Sequence, residues 1–142
     1  METQRYSRQI RLPEVGIEGQ ERLSRSRVIL VGAGGLGCAS APWLVRAGIG
    51  SLLVVDPANV DEPDLGRQLL YTDADVGQPK AVCAAKVLGQ SNPNCEVVGM
   101  PLALDAVNIG ILAKGFDLIL DGTDSDEPRR VMNVYGVRNK IP

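Results

Sequence analysis

The residues best equipped for chemistry lie in a few short stretches. Gly32-Ala33-Gly34-Gly35-Leu36-Gly37 satisfies Gly-x-Gly-x-x-Gly, follows the apolar run Arg27-Val28-Ile29-Leu30-Val31 and opens a segment with helical spacing. Glycine at Gly32, Gly34 and Gly37 permits a tight turn whose backbone N–H groups meet a phosphate at the positive end of a helix, with no side chain intervening. Asp56 ends the next apolar run, about 20 residues beyond the turn, where a carboxylate accepts bonds from ribose hydroxyls. The plain alternative is a tight turn with Asp56 as a loop cap. Three separated cations, Arg8, Arg67 and Lys80, each read singly as solvated surface charge. Together beside a nucleotide turn they favour ATP, because a triphosphate carries more charge to offset than a dinucleotide, whose phosphates the backbone dipoles largely serve. Asp124, in Asp121-Gly122-Thr123-Asp124, has the chemistry to hold magnesium, although Thr123 or Asp124 also suits a simple helix cap.

These residues need elements to hold them. Arg27–Val31 and Ser51–Asp56 read as strands with apolar character on both faces, as in a buried parallel sheet. The segment from Leu36 to Gly48 reads as a helix from the spacing of Leu36, Ala39, Ser40, Trp43, Leu44 and Ala47, with Pro42 tolerable only near its first turn and Gly48 and Gly50 ending it. A polar stretch, Pro57 to Gly77, is a long loop with one turn of helix around Leu65–Leu69. Gln78–Gly89 is a helix with Ala81, Ala84, Ala85 and Leu88 on one face, and Glu96–Met100 is a third strand. Asp105–Lys114 is a helix capped by Asp105, Phe116–Asp121 a fourth strand, and Glu127–Asn139 a last helix. The alternation gives an α/β class, a Rossmann-like doubly wound parallel sheet of order 3-2-1-4, truncated before the fifth strand. Residues 1–26 form an N-terminal helical arm and 27–142 the nucleotide-binding domain. An edge left bare at the fourth strand would be a pairing liability.

Composition sets the limits. With 142 residues, 44% hydrophobic and 16 glycines, the chain buries one core. Seventeen acidic against fifteen basic residues give a net charge of −2, so neither a nucleic-acid surface nor a membrane face is expected as partner. Cys38, Cys83 and Cys95 include no Cys-x-x-Cys pair, so zinc is not expected; they read as small buried apolar residues in a reducing, cytoplasmic chain. The stretch Met1-Glu2-Thr3-Gln4-Arg5-Tyr6 does not read as a secretory leader and no apolar run approaches about 18 residues, so a soluble, intracellular protein is expected. Histidine is absent, so any reaction must do without the usual general base.

Arg5-Tyr6-Ser7-Arg8-Gln9, the glycine turn, Ala47-Gly48-Ile49-Gly50, Val55-Asp56, Leu65-Gly66-Arg67-Gln68, Asp75-Val76-Gly77-Gln78-Pro79-Lys80-Ala81, Asn92-Pro93 and Asp117-Leu118-Ile119-Leu120-Asp121-Gly122-Thr123-Asp124 resemble, in order and over essentially the whole chain, the MoeB/ThiF/HesA family, relatives of ubiquitin-activating enzymes. The resemblance implies adenylation of the C-terminal Gly-Gly carboxylate of a ubiquitin-like sulfur-carrier protein, as in molybdopterin or thiamine biosynthesis, with ATP and Mg²⁺ as cofactors. It implies cofactor contacts from Gly32, Gly34, Gly35, Gly37, Asp56, Asp64, Arg67, Gln68, Lys80, Asp124 and Ser125. Arg8, Arg67, Lys80 and Asp124 would be the catalytic set, with Asp124 on the metal and Arg8 reaching across a homodimer. Two positions depart from the pattern: Pro63-Asp64 stands where the family has Ser-Asn, putting an acid near the phosphates, and Ser125 stands for Asn. The family's paired Cys-x-x-Cys zinc site and the carrier-binding half of its sheet have no counterpart in this chain. Two other readings stay open, a non-catalytic nucleotide-binding or scaffolding module and, from the glycine fingerprint alone, an NAD-dependent oxidoreductase.

Overall fold

The computed structural model describes residues 4–142. Its elements are helices α1 (Ser7–Ile10) and α2 (Gly16–Arg25), strand β1 (Arg27–Val31), α3 (Gly35–Ala47), β2 (Ser51–Val55), α4 (Lys80–Ser91), β3 (Glu96–Met100), α5 (Ile109–Leu112), β4 (Leu118–Asp121) and α6 (Asp126–Asn139). The four strands form one parallel sheet of order β3-β2-β1-β4, the order expected from the alternating periods. In register, Ile29 lies beside Leu53 and Ile119, and Val55 beside Met100.

The sheet is covered on both faces, which is why its central strands are apolar throughout. Val28, Leu30, Leu52 and Val54 pack under α3 and α4, on Cys38, Ala41, Val45, Ala81, Ala84 and Leu88. Ile29, Val31, Leu53 and Val55 pack on Leu104, Ile109 and Met132 on the other side. The three cysteines are buried and free. Burial raises the thiol of each, that of Cys95 to about 11.

Several expected elements differ in face or length. Half of the residues whose spacing marked α3 look outward, with Leu36 60% and Trp43 76% exposed; the core face is Gly37, Cys38, Ala41 and Val45, with Leu44 packed at its margin. Small side chains let this helix lie close to the strands. Pro42 stands well inside α3, past its first turn; the lost backbone bond is outweighed by the burial of Cys38, Ala41 and Val45. The turn expected near Leu65–Leu69 lies earlier, as a 3₁₀ turn at Glu62–Asp64, with another at Asp73–Asp75. Asp105 does accept from the N–H groups of Val107 and Asn108, both at 2.8 Å, but the helix it introduces is the single turn of α5. β4 starts at Leu118, because Phe116 leaves the sheet to lie under the Arg27 guanidinium, 4.7 Å from its ring centre. The outer edge of β4 is not wholly bare: Ile119 N–H donates to the Pro142 carbonyl at 2.8 Å. Among the described residues no helix is long and apolar enough to cross a membrane.

A polar cluster closes the amino edge of the sheet. Asn92, wholly buried, donates to the Tyr6 hydroxyl (2.9 Å) and the Val45 carbonyl (2.7 Å). Gln20, also wholly buried, donates to the Ala47 carbonyl at 3.0 Å, as does Gln9 at 2.7 Å, and Gln9 donates to Gln20. These side chains donate to carbonyls in the last turn of α3, of which that of Val45 also accepts from the Gly48 N–H at 3.1 Å. They also tie α1 and α2 to the sheet.

Candidate functional site

At the opposite, carboxyl edge a cleft of about 730 Å³ opens where all four strands end. Such an edge is where open α/β sheets hold ligands, at the point where the connections diverge. Here that point is between β1 and β4, and the backbones meet there: a Cβ on Gly32 would stand 2.6 Å from the Gly122 carbonyl, and Gly32 itself has φ of 94°. A Cβ on Gly37 would stand 2.1 Å from the Gly32 carbonyl oxygen. Gly32 and Gly37 are therefore glycines for the sake of the turn. Gly34 and Gly35 are different, since a Cβ on Gly34 would meet nothing nearer than 3.9 Å and one on Gly35 nothing within 4 Å. Both line the cleft, where their bareness keeps space and N–H groups open to a ligand. Gly37 is buried beneath the turn and does not line it.

The turn is held from three sides. Asp56 accepts from Ala33 N–H and Ala58 N–H, each at 2.8 Å. It thus ties the turn to the loop after β2 and also lines the cleft, with lone pairs to spare for hydroxyl donors. The capping and ribose-binding readings of Asp56 are compatible. Beneath the turn, the Tyr71 hydroxyl donates to the Ala33 carbonyl at 2.7 Å and the Cys38 thiol to the same oxygen at 3.3 Å. Burial, with Cys38 and Asp56 nearby, raises the Tyr71 phenol far above its ordinary range, so it remains a donor.

Arg67 and Lys80 stand together on one wall, joined by Asp64. The Asp64 carboxylate takes Lys80 Nζ at 2.8 Å and Arg67 Nη2 at 3.2 Å. It also takes Gln68 Nε2 at 2.8 Å and Asp61 N–H at 3.1 Å. The bond from Lys80 comes first among the causes that hold this carboxyl below its usual range. The acid that the sequence set near the phosphates is thus turned into the protein. It does not line the cleft; it anchors two cations that do. The trio keeps one net positive charge, and the Arg67 side chain is 63% exposed. Gln68 is 2% exposed, and its Oε1 is a buried acceptor with no partner among the described residues.

Asp124 stands on the facing wall with Ser125. It makes no hydrogen bond or ion pair among the described residues, and the helix cap position falls to Ser125, whose side chain makes no capping bond. A pure capping role for Thr123 or Asp124 is therefore not what the loop shows. Asp121 accepts from Thr123 N–H at 2.9 Å and Thr123 Oγ1 at 2.7 Å. Arg129 donates to Asp121 (3.1 Å) and to the Thr123 carbonyl (2.7 Å), so the loop presenting Asp124 is latched from behind. No group of three or more His, Cys, Asp or Glu side chains able to hold a metal occurs among the described residues. A lone carboxylate fits magnesium in company with phosphate oxygens and water, the usual mixed set for that ion.

Arg8 is not in the cleft. It is exposed on α1, which is bound to the far end of α3, about 20 Å of helix from the glycine turn. Sequence reasoning missed Tyr71, Arg129 and the wall of Ala103, Leu104 and Asp105. Only Leu70-Tyr71, apolar inside a polar loop, carried a signal.

The ThiF family model matches residues 6–142. The chain belongs to the ThiF family. This ThiF-family chain is 45% identical over 132 residues to a sulfur carrier protein adenylyltransferase of Thermus thermophilus, covering 93% of this chain and 49% of that protein. It is 41% identical over 138 residues to the molybdopterin-synthase adenylyltransferase of Escherichia coli, covering 97% and 55%. The chain thus spans about half the length of these curated relatives. The structure of the E. coli tRNA N6-threonylcarbamoyladenosine dehydratase in complex with ATP superposes with a TM-score of 0.90 at 30% identity, over 99% of this chain and 57% of that one. The same enzyme has been seen with AMP, at a TM-score of 0.91 over 99% of this chain and 56% of that one, again at 30% identity.

Proposed function

We propose that the cleft binds Mg-ATP and serves adenylation of the C-terminal glycine carboxylate of a ubiquitin-like sulfur-carrier protein. The observation that carries this reading is the pairing of two anchored cations, Arg67 and Lys80, with an unpartnered carboxylate, Asp124, across a glycine turn. A dinucleotide does not call for that set. Gly34 and Gly35 would meet the phosphates and Asp56 the ribose, while Gln68 Oε1 would accept from a ligand donor.

In the reaction, a carboxylate oxygen attacks the α-phosphorus. A new O–P bond forms, the bond from the α-phosphorus to its bridging oxygen breaks, and pyrophosphate leaves with that electron pair. No proton has to move, because the carboxylate is already ionised at neutral pH. The absence of histidine is then no obstacle. Arg67 and Lys80 offset the charge that gathers on pyrophosphate, in a geometry Asp64 has set beforehand. Asp124 would hold magnesium, which when bound neutralises phosphate charge.

We also infer a homodimer in which Arg8 of one copy serves the other copy's cleft. Its distance from its own cleft supports this, and exposed Leu36 and Trp43 on α3 offer apolar surface for a second copy. Arg8→Ala and Lys80→Ala, each inactive alone, are expected to regain part of the activity when mixed; no recovery rejects action across the dimer.

ATP–pyrophosphate exchange with and without a Gly-Gly-ended carrier tests the main reading, alongside ATP and NAD binding. Carrier-dependent exchange supports it. Binding of NAD without ATP overturns it, and ATP binding without exchange identifies an inert nucleotide module.

A further inference from the structure

We propose that Tyr71 is a positioning residue for phosphate binding, acting through the peptide between Ala33 and Gly34. This rests on the nucleotide reading of the cleft and adds to it a residue outside the glycine turn. The Ala33 carbonyl is drawn inward by two buried donors, the Tyr71 hydroxyl at 2.7 Å and the Cys38 thiol at 3.3 Å. All peptide bonds described are trans, and in a trans peptide the N–H points opposite to the C=O. Drawing the Ala33 oxygen toward the core therefore turns the Gly34 N–H outward, to the side where Gly34 lines the cleft. That N–H has no partner among the described residues. The Ala33 N–H is already spent on Asp56, which leaves Gly34 as the first open donor of the turn.

A glycine-rich segment has no side chain to fix its own peptide planes, and each can flip at little steric cost. Something outside it must choose the orientation. Tyr71 sits in the same loop as Arg67 and Gln68, so one loop would set both the cation and the backbone donor that a phosphate meets. Burial holds the phenol protonated at any working pH, so the bond to Ala33 does not switch off.

The test is Tyr71→Phe, which keeps the ring and its packing and removes only the donor. Binding of ATP and of adenosine is measured for both proteins, with thermal melting as a check on folding. The expected result is an ATP affinity lower by about fivefold, the worth of one hydrogen bond, with adenosine affinity unchanged. Adding Cys38→Ala widens the gap. An equal loss for both ligands, or no loss for ATP, overturns the proposal and makes the hydroxyl a structural bond only. A wild-type protein that binds neither ligand overturns the nucleotide reading and this inference with it. As a second readout, the Gly34 amide resonance is expected to move on adding pyrophosphate in the wild type and to move less in Tyr71→Phe; equal movement overturns the inference.

Discussion

The two edges of the sheet are both polar, yet they are polar in opposite senses. At the amino edge, Tyr6, Gln9, Gln20 and Asn92 spend most of their donors and acceptors on one another and on the carbonyls at the end of α3, and the buried Ser51 Oγ is left without a partner there among the described residues. At the carboxyl edge, comparable effort leaves groups open: among the described residues Asp124 has no hydrogen-bond or ion-pair partner, Gln68 Oε1 is buried and unmet, and the Gly34 N–H has no acceptor. A buried polar network that closes on itself holds a fold together, whereas open polar groups at a cleft leave donors and acceptors that a ligand could meet. Sequence motifs do not separate the two, since Arg5-Tyr6-Ser7-Arg8-Gln9 and Asn92-Pro93 are as much part of the family pattern as the glycine turn.

The comparison breaks or sharpens under three substitutions. The largest effect is expected at Asp64, which belongs to both classes because it is buried and yet arms the cleft. Asp64→Asn leaves the Lys80 ammonium without its partner and costs about 3 kcal/mol of stability, read by urea denaturation. Since its carboxyl is held below the ordinary range, its contribution is present above that range and fades as pH falls through the depressed value. The gap between wild type and variant is therefore expected to narrow in acid. A constant gap from neutral pH down through that range would show that charge is not its origin. Next comes Asn92→Ala, expected to cost about 2 kcal/mol by removing its bonds to the Tyr6 hydroxyl, the Val45 carbonyl and the Asn94 N–H. Its ATP affinity is expected to stay at the wild-type value, and a drop would tie the amino edge to the cleft. The smallest stability effect belongs to Asp124→Ala, within about 0.5 kcal/mol. That variant is expected to lose magnesium-dependent ATP binding, and unchanged binding would remove Asp124 from the site.

How much was legible followed from how local each feature is. Strand order, the βα alternation and the glycine turn came through because side-chain period and glycine placement are properties of a few consecutive residues. α3 was found from the spacing of residues of which Leu36, Ala39 and Trp43 prove to face solvent, because helical period alone does not say which face is inward. Asp64 was read as a neighbour of the phosphates, and only folding shows its carboxylate turned to Lys80, Arg67 and Gln68. The roles of Tyr71 and Arg129 were not legible, since each acts on backbone atoms, of Ala33 and Thr123, that a sequence does not display; for Tyr71 the only signal was an apolar pair inside a polar loop.

By itself, then, the order of residues determined that strands, turns and helices would alternate and that the glycine turn, Asp56 and the Asp121–Asp124 stretch would stand at the carboxyl ends of strands. Tertiary structure alone decided that a Cβ on Gly32 or Gly37 would meet backbone, while Gly34 and Gly35 have open space beside the cleft. It decided also that Asp64 turns to Lys80 and Arg67 rather than into the cleft, and that Arg8 lies at the far end of α3. The physical reason is that composition and period fix what a segment can bury, whereas the direction of a single carboxylate or peptide plane depends on partners brought together only when the chain closes on itself.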